Sequence, residues 1–260
     1  MSITTKTGNS ILDRLISNMV FIEGGSFRMG EQFGSNPAKK HVEPIHQVTL
    51  SNFYIGKFQV RQSEWKEIMG YNHPQFIGDQ NPIERVSWDE CNEFISKLTK
   101  LTQLKFSFPT EAQWEFAAKG GKHSKKYLYS GSNQLYDVGW CYYNSGEARE
   151  VLISKGSWFE KPKTRSEIIN NRTHPVGSLY GNELDTYDMS GNVDEWCLDW
   201  HAPYSVGSQN NPLGPSFGEC KVYRGGNWRG DFSLCETIRR NKLPPHGTDP
   251  TLGLRLALNI

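Results

Sequence analysis

No Cys-x-x-Cys pair occurs anywhere in the 260 residues, and the five cysteines (Cys91, Cys141, Cys197, Cys220 and Cys235) are odd in number. That argues against a zinc ribbon and against a complete disulfide framework. Most of these thiols read as small buried hydrophobes. No apolar run is long enough to cross a bilayer, and no apolar core follows a basic start at the N-terminus. A membrane span and a signal peptide are therefore not expected; as written the chain reads as cytoplasmic, or as secreted or surface-located if a leader was removed. There is no excess of either charge: 29 Lys and Arg face 28 Asp and Glu. A net charge of +1 gives no field that would gather nucleic acid, so none is expected as a partner. The one basic cluster, Lys122-His123-Ser124-Lys125-Lys126, reads as a solvated loop. A Gly-x-Ser-x-Gly elbow, a phosphate-binding Walker loop and a His-Glu-x-x-His helix are all missing, and seven scattered His give no metal triad. No repeat or linker divides the chain.

What is present is an aromatic, turn-rich composition. Eight Trp, 11 Tyr and 13 Phe suit a bulky core, while 25 Gly and 13 Pro predict many turns and little regular structure. Residues 1–18 read as an N-terminal extension with a short amphipathic helix, since Ile11, Leu12, Leu15 and Ile16 recur at helical spacing. The domain proper is placed at 19–260. Met19 to Ile22 and Phe27 to Gly30 flank Gly24-Gly25 and read as a hairpin. A polar loop, residues 31–43, follows it and contains Pro37. His46 to Leu50 alternates as a half-buried strand does and continues into Phe53 to Gly56. A helix is expected over residues 63–69, stopped by Gly70. Ser87 with Glu90 and Thr110 with Gln113 form two capping boxes, each ahead of a helical apolar face. Residues 148–170 read as a loop insertion.

Asp188-Met189-Ser190-Gly191-Asn192-Val193-Asp194-Glu195 is dense in oxygen donors. A chain curling at Gly191 could offer Asp188, Glu195 and main-chain carbonyls to one cation, and calcium suits such a set. A turn whose carboxylates bond backbone amides explains the same residues equally well.

The C-terminal stretch decides more. Arg224-Gly225-Gly226-Asn227-Trp228, Cys235, Arg239-Arg240 and Gly253-Leu254-Arg255-Leu256-Ala257 together resemble the signature of the formylglycine-generating enzyme, or sulfatase-modifying factor, family. Phe108-Pro109-Thr110-Glu111-Ala112-Gln113-Trp114-Glu115 resembles its central motif. The resemblance runs over residues 19–258. It implies an α+β, C-type lectin-like fold, loop-rich, with few short strands and two or three helices. It also implies one structural calcium held by Asp188, Gly191, Val193 and Glu195; a second family site near residues 137–150 has no placeable ligands. The family's oxidases bind copper(I) between two cysteines five positions apart. Cys235 matches the second and Gly230 stands at the first, with Cys197 and Cys220 the candidates to replace it in space. Linear copper(I) coordination needs two converging thiolates, so copper is not expected and no catalytic residue is assigned. Cys235 is the exception if the chain is instead an oxidase that converts a protein cysteine to formylglycine. The expected function is binding of a protein or small ligand at the loop face, residues 227–252, through Asn227, Trp228, Arg229, Asp231, Phe232, Glu236, Arg239, His246 and Asp249. The same segment resembles the variable region of proteins diversified by retroelements. A monomer is expected, with Arg240 paired to a carboxylate inside the fold.

Overall fold

In the computed structural model, which describes residue 3 and residues 6–31, 42–154 and 163–259, both capping boxes open helices. The helices are α1 (Ser10–Ser17), α2 (Gln62–Met69), α3 (Trp88–Thr102), α4 (Glu111–Ala118) and the single turn α5 (Leu135–Val138). At α3, Ser87 Oγ accepts from Glu90 N at 3.2 Å, and Glu90 Oε2 accepts from Ser87 N at 2.8 Å. At α4, Thr110 Oγ1 accepts from Gln113 N, and Gln113 Oε1 accepts from Thr110 N. Each reciprocal pair satisfies two amides that a helix start otherwise leaves without partners. Gly70, left-handed at φ 81°, ends α2.

The strands are short: β1 (Met19–Ile22), β2 (Ser26–Met29), β3 (His46–Thr49), β4 (Phe53–Gly56), β5 (Phe106–Ser107), β6 (Glu147–Ser154), β7 (Lys163–Ile169), β8 (Asp194–Trp200), β9 (Gln209–Asn210), β10 (Lys221–Arg224), β11 (Arg240–Leu243), β12 (Leu252–Gly253) and β13 (Ala257–Asn259). They form sheets of order β1-β4-β13-β5, β11-β10-β8-β12, β2-β3-β9 and β6-β7. Among the described residues, no helix is long and apolar enough to cross a membrane.

Two expectations are corrected. Residues 19–22 and 26–29 do not make a hairpin. β1 pairs with β4, Met19 opposite Gly56, while β2 pairs with β3, Ser26 opposite Thr49. Asn52 Oδ1 accepts from Gly24 N and Gly25 O accepts from Leu50 N, both at 2.9 Å. The Gly-Gly step therefore carries the chain from one sheet to the next, and a Cβ at Gly24 would lie 2.2 Å from Leu50 O. Second, much of 148–170 is the hairpin β6-β7, not a loop. Glu147 to Glu150 are exposed, so no buried face imposes the alternation that would have marked a strand. The polar loop expected around Pro37 falls on residues 32–41, outside the described residues.

Leu12, Leu15 and Ile16 of α1 are buried in one core cluster with Trp65, Phe94, Trp196 and Leu254, so α1 is part of the body and not an appendage. Trp65 and Phe94 stack at 5.0 Å, 3° from parallel. A second cluster gathers Phe53, Trp114, Met189 and Val222. Charge is buried as well. Arg240 forks onto Glu111 at 2.8 and 2.7 Å, and Tyr204 donates to the same carboxylate at 2.9 Å. Arg224 bonds Glu115 and lies 3.4 Å from Glu111, and Lys119 bonds Glu115 at 2.7 Å. The expected pairing of Arg240 thus has Glu111 as its partner.

Burial pushes Asp199 up to about 7, helped by the neighbouring Glu111 carboxylate. Burial also raises Glu84 to about 7, against the amides of Phe76 and Gln75 that favour its charged form. Between the ordinary carboxylate range and pH 7 the folded state binds more protons at both groups than the unfolded chain does. Stability should therefore rise as pH falls from 8 to about 6.5, by on the order of 1 kcal/mol. Below that, His174 and His201, both lowered chiefly by burial, oppose the gain. Urea midpoints at the two pH values check this, and Asp199→Asn should shrink the difference.

Candidate functional site

β10 ends at Arg224, and the chain then runs through Gly225 and Gly226 into an irregular segment that returns at β12. Both strands pair with β8, so the segment is anchored at each end to one sheet. A cleft of about 230 Å³ opens over it, lined by Asp194, Tyr223, Asn227, Arg229, Gly230, Leu234, Asn241, Asp249, Thr251 and Leu252. Asp194, the first residue of β8, organises its floor: its carboxylate accepts from Gly226 N at 2.9 Å and from Asn227 Nδ2 at 2.6 Å. Burial pushes Asp194 up to about 7 despite these donors. At the rim Arg229 Nη2 lies 3.5 Å from Asp249 Oδ1, both side chains about half exposed. Thr251 N and Oγ1 donate to that same oxygen at 2.9 and 2.5 Å and fix it.

Of the residues expected to bind ligand, the cleft brings together Asn227, Arg229 and Asp249. Trp228 is 6% exposed; its ring donates to Pro250 O and packs edge-on against Phe76. Glu236 is 2% exposed. Both are corrected from ligand contacts to packing residues, because the segment folds back on the core. Arg239 is half-buried and His246 exposed, and neither lines the cleft. Asp231 caps the short turn Phe232–Leu234. Phe232 belongs to an adjoining aromatic shelf, stacked on Tyr143 at 4.8 Å with Tyr136 at 5.6 Å. Asp194, Tyr223, Asn241, Thr251 and Leu252 were missed as cleft residues. They come together only because β8, β10, β11 and β12 pair in one sheet, and no local pattern marks that long-range pairing.

Gly230 sits in the cleft wall, its amide donating to Asn227 O at 3.0 Å and its carbonyl accepting from Tyr142 N at 2.9 Å. Cys235 is fully buried and shares a small cluster with Tyr129, Leu135, Val138 and Cys141. Cys197 lies instead in the cluster of Trp114 and Met189, and Cys220 is partly exposed beside His201. The thiol that shares a core with Cys235 is thus Cys141, not either sequence candidate. Burial pushes the Cys235 thiol up, and the nearby Cys141 and Asp194 push it further. Thiolate, the form that binds copper, is disfavoured there.

The 188–195 loop brings its expected donors to one point. Asp188 O, Gly191 O, Val193 O and Glu195 Oε1 lie 3.1, 3.3, 2.9 and 3.0 Å from a single atom, Gln59 Nε2. Asp188 contributes its main chain and not its side chain: its Oδ2 accepts from Gly177 N at 2.7 Å, and its Oδ1 is buried without a partner. Burial raises the Asp188 carboxyl to about 6. Gly191 makes the curl, at φ 111°; a Cβ there would lie 2.4 Å from Trp140 O. Glu195 is gripped by Arg255 through Nε and Nη2 at 2.8 and 2.7 Å, and by Trp114 Nε1 at 2.6 Å. In donor type the set fits a hard cation. In space it does not, since an amide nitrogen holds the point of convergence. Among the described residues, no group of three or more His, Cys, Asp or Glu could hold a metal ion.

The family model described as the sulfatase-modifying factor enzyme 1-like domain matches residues 13–260. The chain is 31% identical to "Chaperone protein LppX" of Paenibacillus barcinonensis, over 98% of this chain and 93% of that protein. It is 24% identical to the formylglycine-generating enzyme of Streptomyces coelicolor, over 96% and 92%. Among solved structures it is similar to Treponema denticola variable protein 1, with a TM-score of 0.74 and 27% identity over 92% of this chain and 94% of that one.

Proposed function

From the premise that the chain belongs to the sulfatase-modifying factor enzyme 1-like domain family and has its α+β, C-type lectin-like fold, we propose that it is a non-catalytic domain that binds a polypeptide through the 227–252 loop face. The observation that carries this reading is the cleft itself. It opens at the position of Gly230, where the oxidases would place a thiol, and it is rimmed by Arg229 and Asp249. The one cysteine at the matching position lies beneath it, buried and held in the thiol form. What faces solvent is a charged pair, amides and a neighbouring aromatic shelf, a combination suited to recognition and not to oxygen activation. A relative named as a chaperone protein supports a polypeptide ligand over a small molecule. A structural neighbour named as a variable protein supports concentrating sequence differences between Asn227 and Thr251.

The test pairs two assays. The purified protein is applied to an immobilised peptide array, beside an Arg229→Glu variant, which leaves the hydrogen bonds of Asp249 to Thr251 in place. Peptides should be retained by the parent and lost from the variant, whose melting temperature should move little because an exposed pair contributes only about 0–1 kcal/mol. In parallel the protein is incubated with copper(I), oxygen and a Cys-x-Pro-x-Arg peptide. No conversion of thiol to aldehyde is expected by mass; conversion would overturn the proposal.

A further inference from the structure

We propose that the Gln59 amide stands in the place of a cation, so that the 188–195 loop is braced without metal and a divalent-cation cage lies latent beneath that one side chain. Four oxygens from Asp188, Gly191, Val193 and Glu195 surround Gln59 Nε2 at 2.9–3.3 Å. Carbonyl and carboxylate oxygens repel one another when brought to a common point, and something positive must sit between them. Calcium would do so at 2.3–2.6 Å from each oxygen. The amide nitrogen already does so at hydrogen-bond distance. A cation and this nitrogen would share nearly the same position, so one excludes the other.

The orientation of the amide follows from the same geometry. Turned over, Gln59 would present its oxygen to four more oxygens, which is repulsive; the nitrogen belongs inside. Its two hydrogens serve four acceptors, each shared between neighbours. Gln59 Oε1 is left buried without a partner.

The charge is also provided for from within the chain. Glu195 needs a counter-charge when buried, and Arg255 supplies it with two hydrogen bonds. Arg255 further bonds Gly56 O, Lys57 O and Tyr187 O, tying the loop to β4. Amide plus guanidinium thus cover both tasks of a structural cation: they fill the cage and neutralise its carboxylate.

The test uses the full chain and calcium chloride as the probe. Parent, Gln59→Ala, Gln59→Glu and Gln59→Ala/Glu195→Gln proteins are melted in millimolar calcium and in chelator, and each is titrated with calcium by calorimetry. The parent should melt at the same temperature in both and bind no calcium at this loop. Gln59→Ala should gain several degrees in calcium and bind it stoichiometrically, with the response lost in the double variant. Gln59→Glu, which adds a carboxylate to the cage, should depend on calcium more strongly, and folding only when calcium is present would support the proposal. Stoichiometric calcium binding by the parent that Glu195→Gln abolishes would overturn it, as would a failure of both Gln59 variants to respond to calcium.

Discussion

Arg224→Met is expected to lower the free energy of unfolding by about 3–5 kcal/mol, the cost of breaking a buried ion pair from one side. Arg224 is fully buried and joins two carboxylates, Glu115 by hydrogen bond and Glu111 at 3.4 Å. Glu115 would keep Lys119 and the amide of Gly30, and Glu111 would keep Arg240 and Tyr204. One positive charge would nonetheless be missing from a group of two acids and three bases that water does not reach. Methionine approximates the stem of arginine, so the loss reports charge and hydrogen bonds more than volume. Arg224→Lys should recover only part of it, because an ammonium cannot span both carboxylates. Adding Glu115→Gln should cost further stability, since the two acids already match the two remaining bases and buried Lys119 would lose its carboxylate; a gain in the double variant would show that Glu115 is left uncompensated. Equilibrium urea unfolding measures all three.

Arg255→Met should cost at least as much. Here the arginine satisfies both oxygens of Glu195 and three main-chain carbonyls at once. Its loss leaves a buried carboxylate with neutral donors only, Trp114 and Gln59, and carbonyls at Gly56, Lys57 and Tyr187 short of a donor. For a chain of this size each kcal/mol moves the melting temperature by roughly 2–4 °C. A fall of about 10 °C or more is therefore expected by circular dichroism. A fall of a degree or two would mean that water enters the site and replaces the guanidinium.

Both arginines lie in motifs legible from the sequence, Arg-Gly-Gly-Asn-Trp and Gly-Leu-Arg-Leu-Ala, yet their roles were not. Local signals are readable where the partner is a few residues away. Ser87 with Glu90, Thr110 with Gln113 and Gly70 at its helix end could all be placed before any coordinates. Pairing across long separations left no such trace. Nothing near Met19 announces β4 as its neighbour, and nothing near Gln59 announces a cage built over a hundred residues later. The hairpin misread at Gly24-Gly25 shows the same limit, since two glycines permit a sheet-to-sheet crossing as readily as a turn. At the candidate cleft, composition singled out Asn227, Arg229 and Asp249 because irregular polar segments attract attention. It overreached at Trp228 and Glu236, whose burial depends on how the segment folds back, and it passed over the residues contributed by strands.

β13 sits between β4 and β5, its Ala257 opposite Ile55 on one side and Ser107 on the other. During synthesis, therefore, two strands made early wait for a third made about 150 residues after the later of them. Until it emerges from the ribosome, both present open edges and the apolar surface beside them. Contacts this distant in sequence close slowly. The nascent chain should accordingly be most vulnerable to aggregation just before β13 appears, and its yield in cells should follow holdase capacity more closely than the stability of the finished fold.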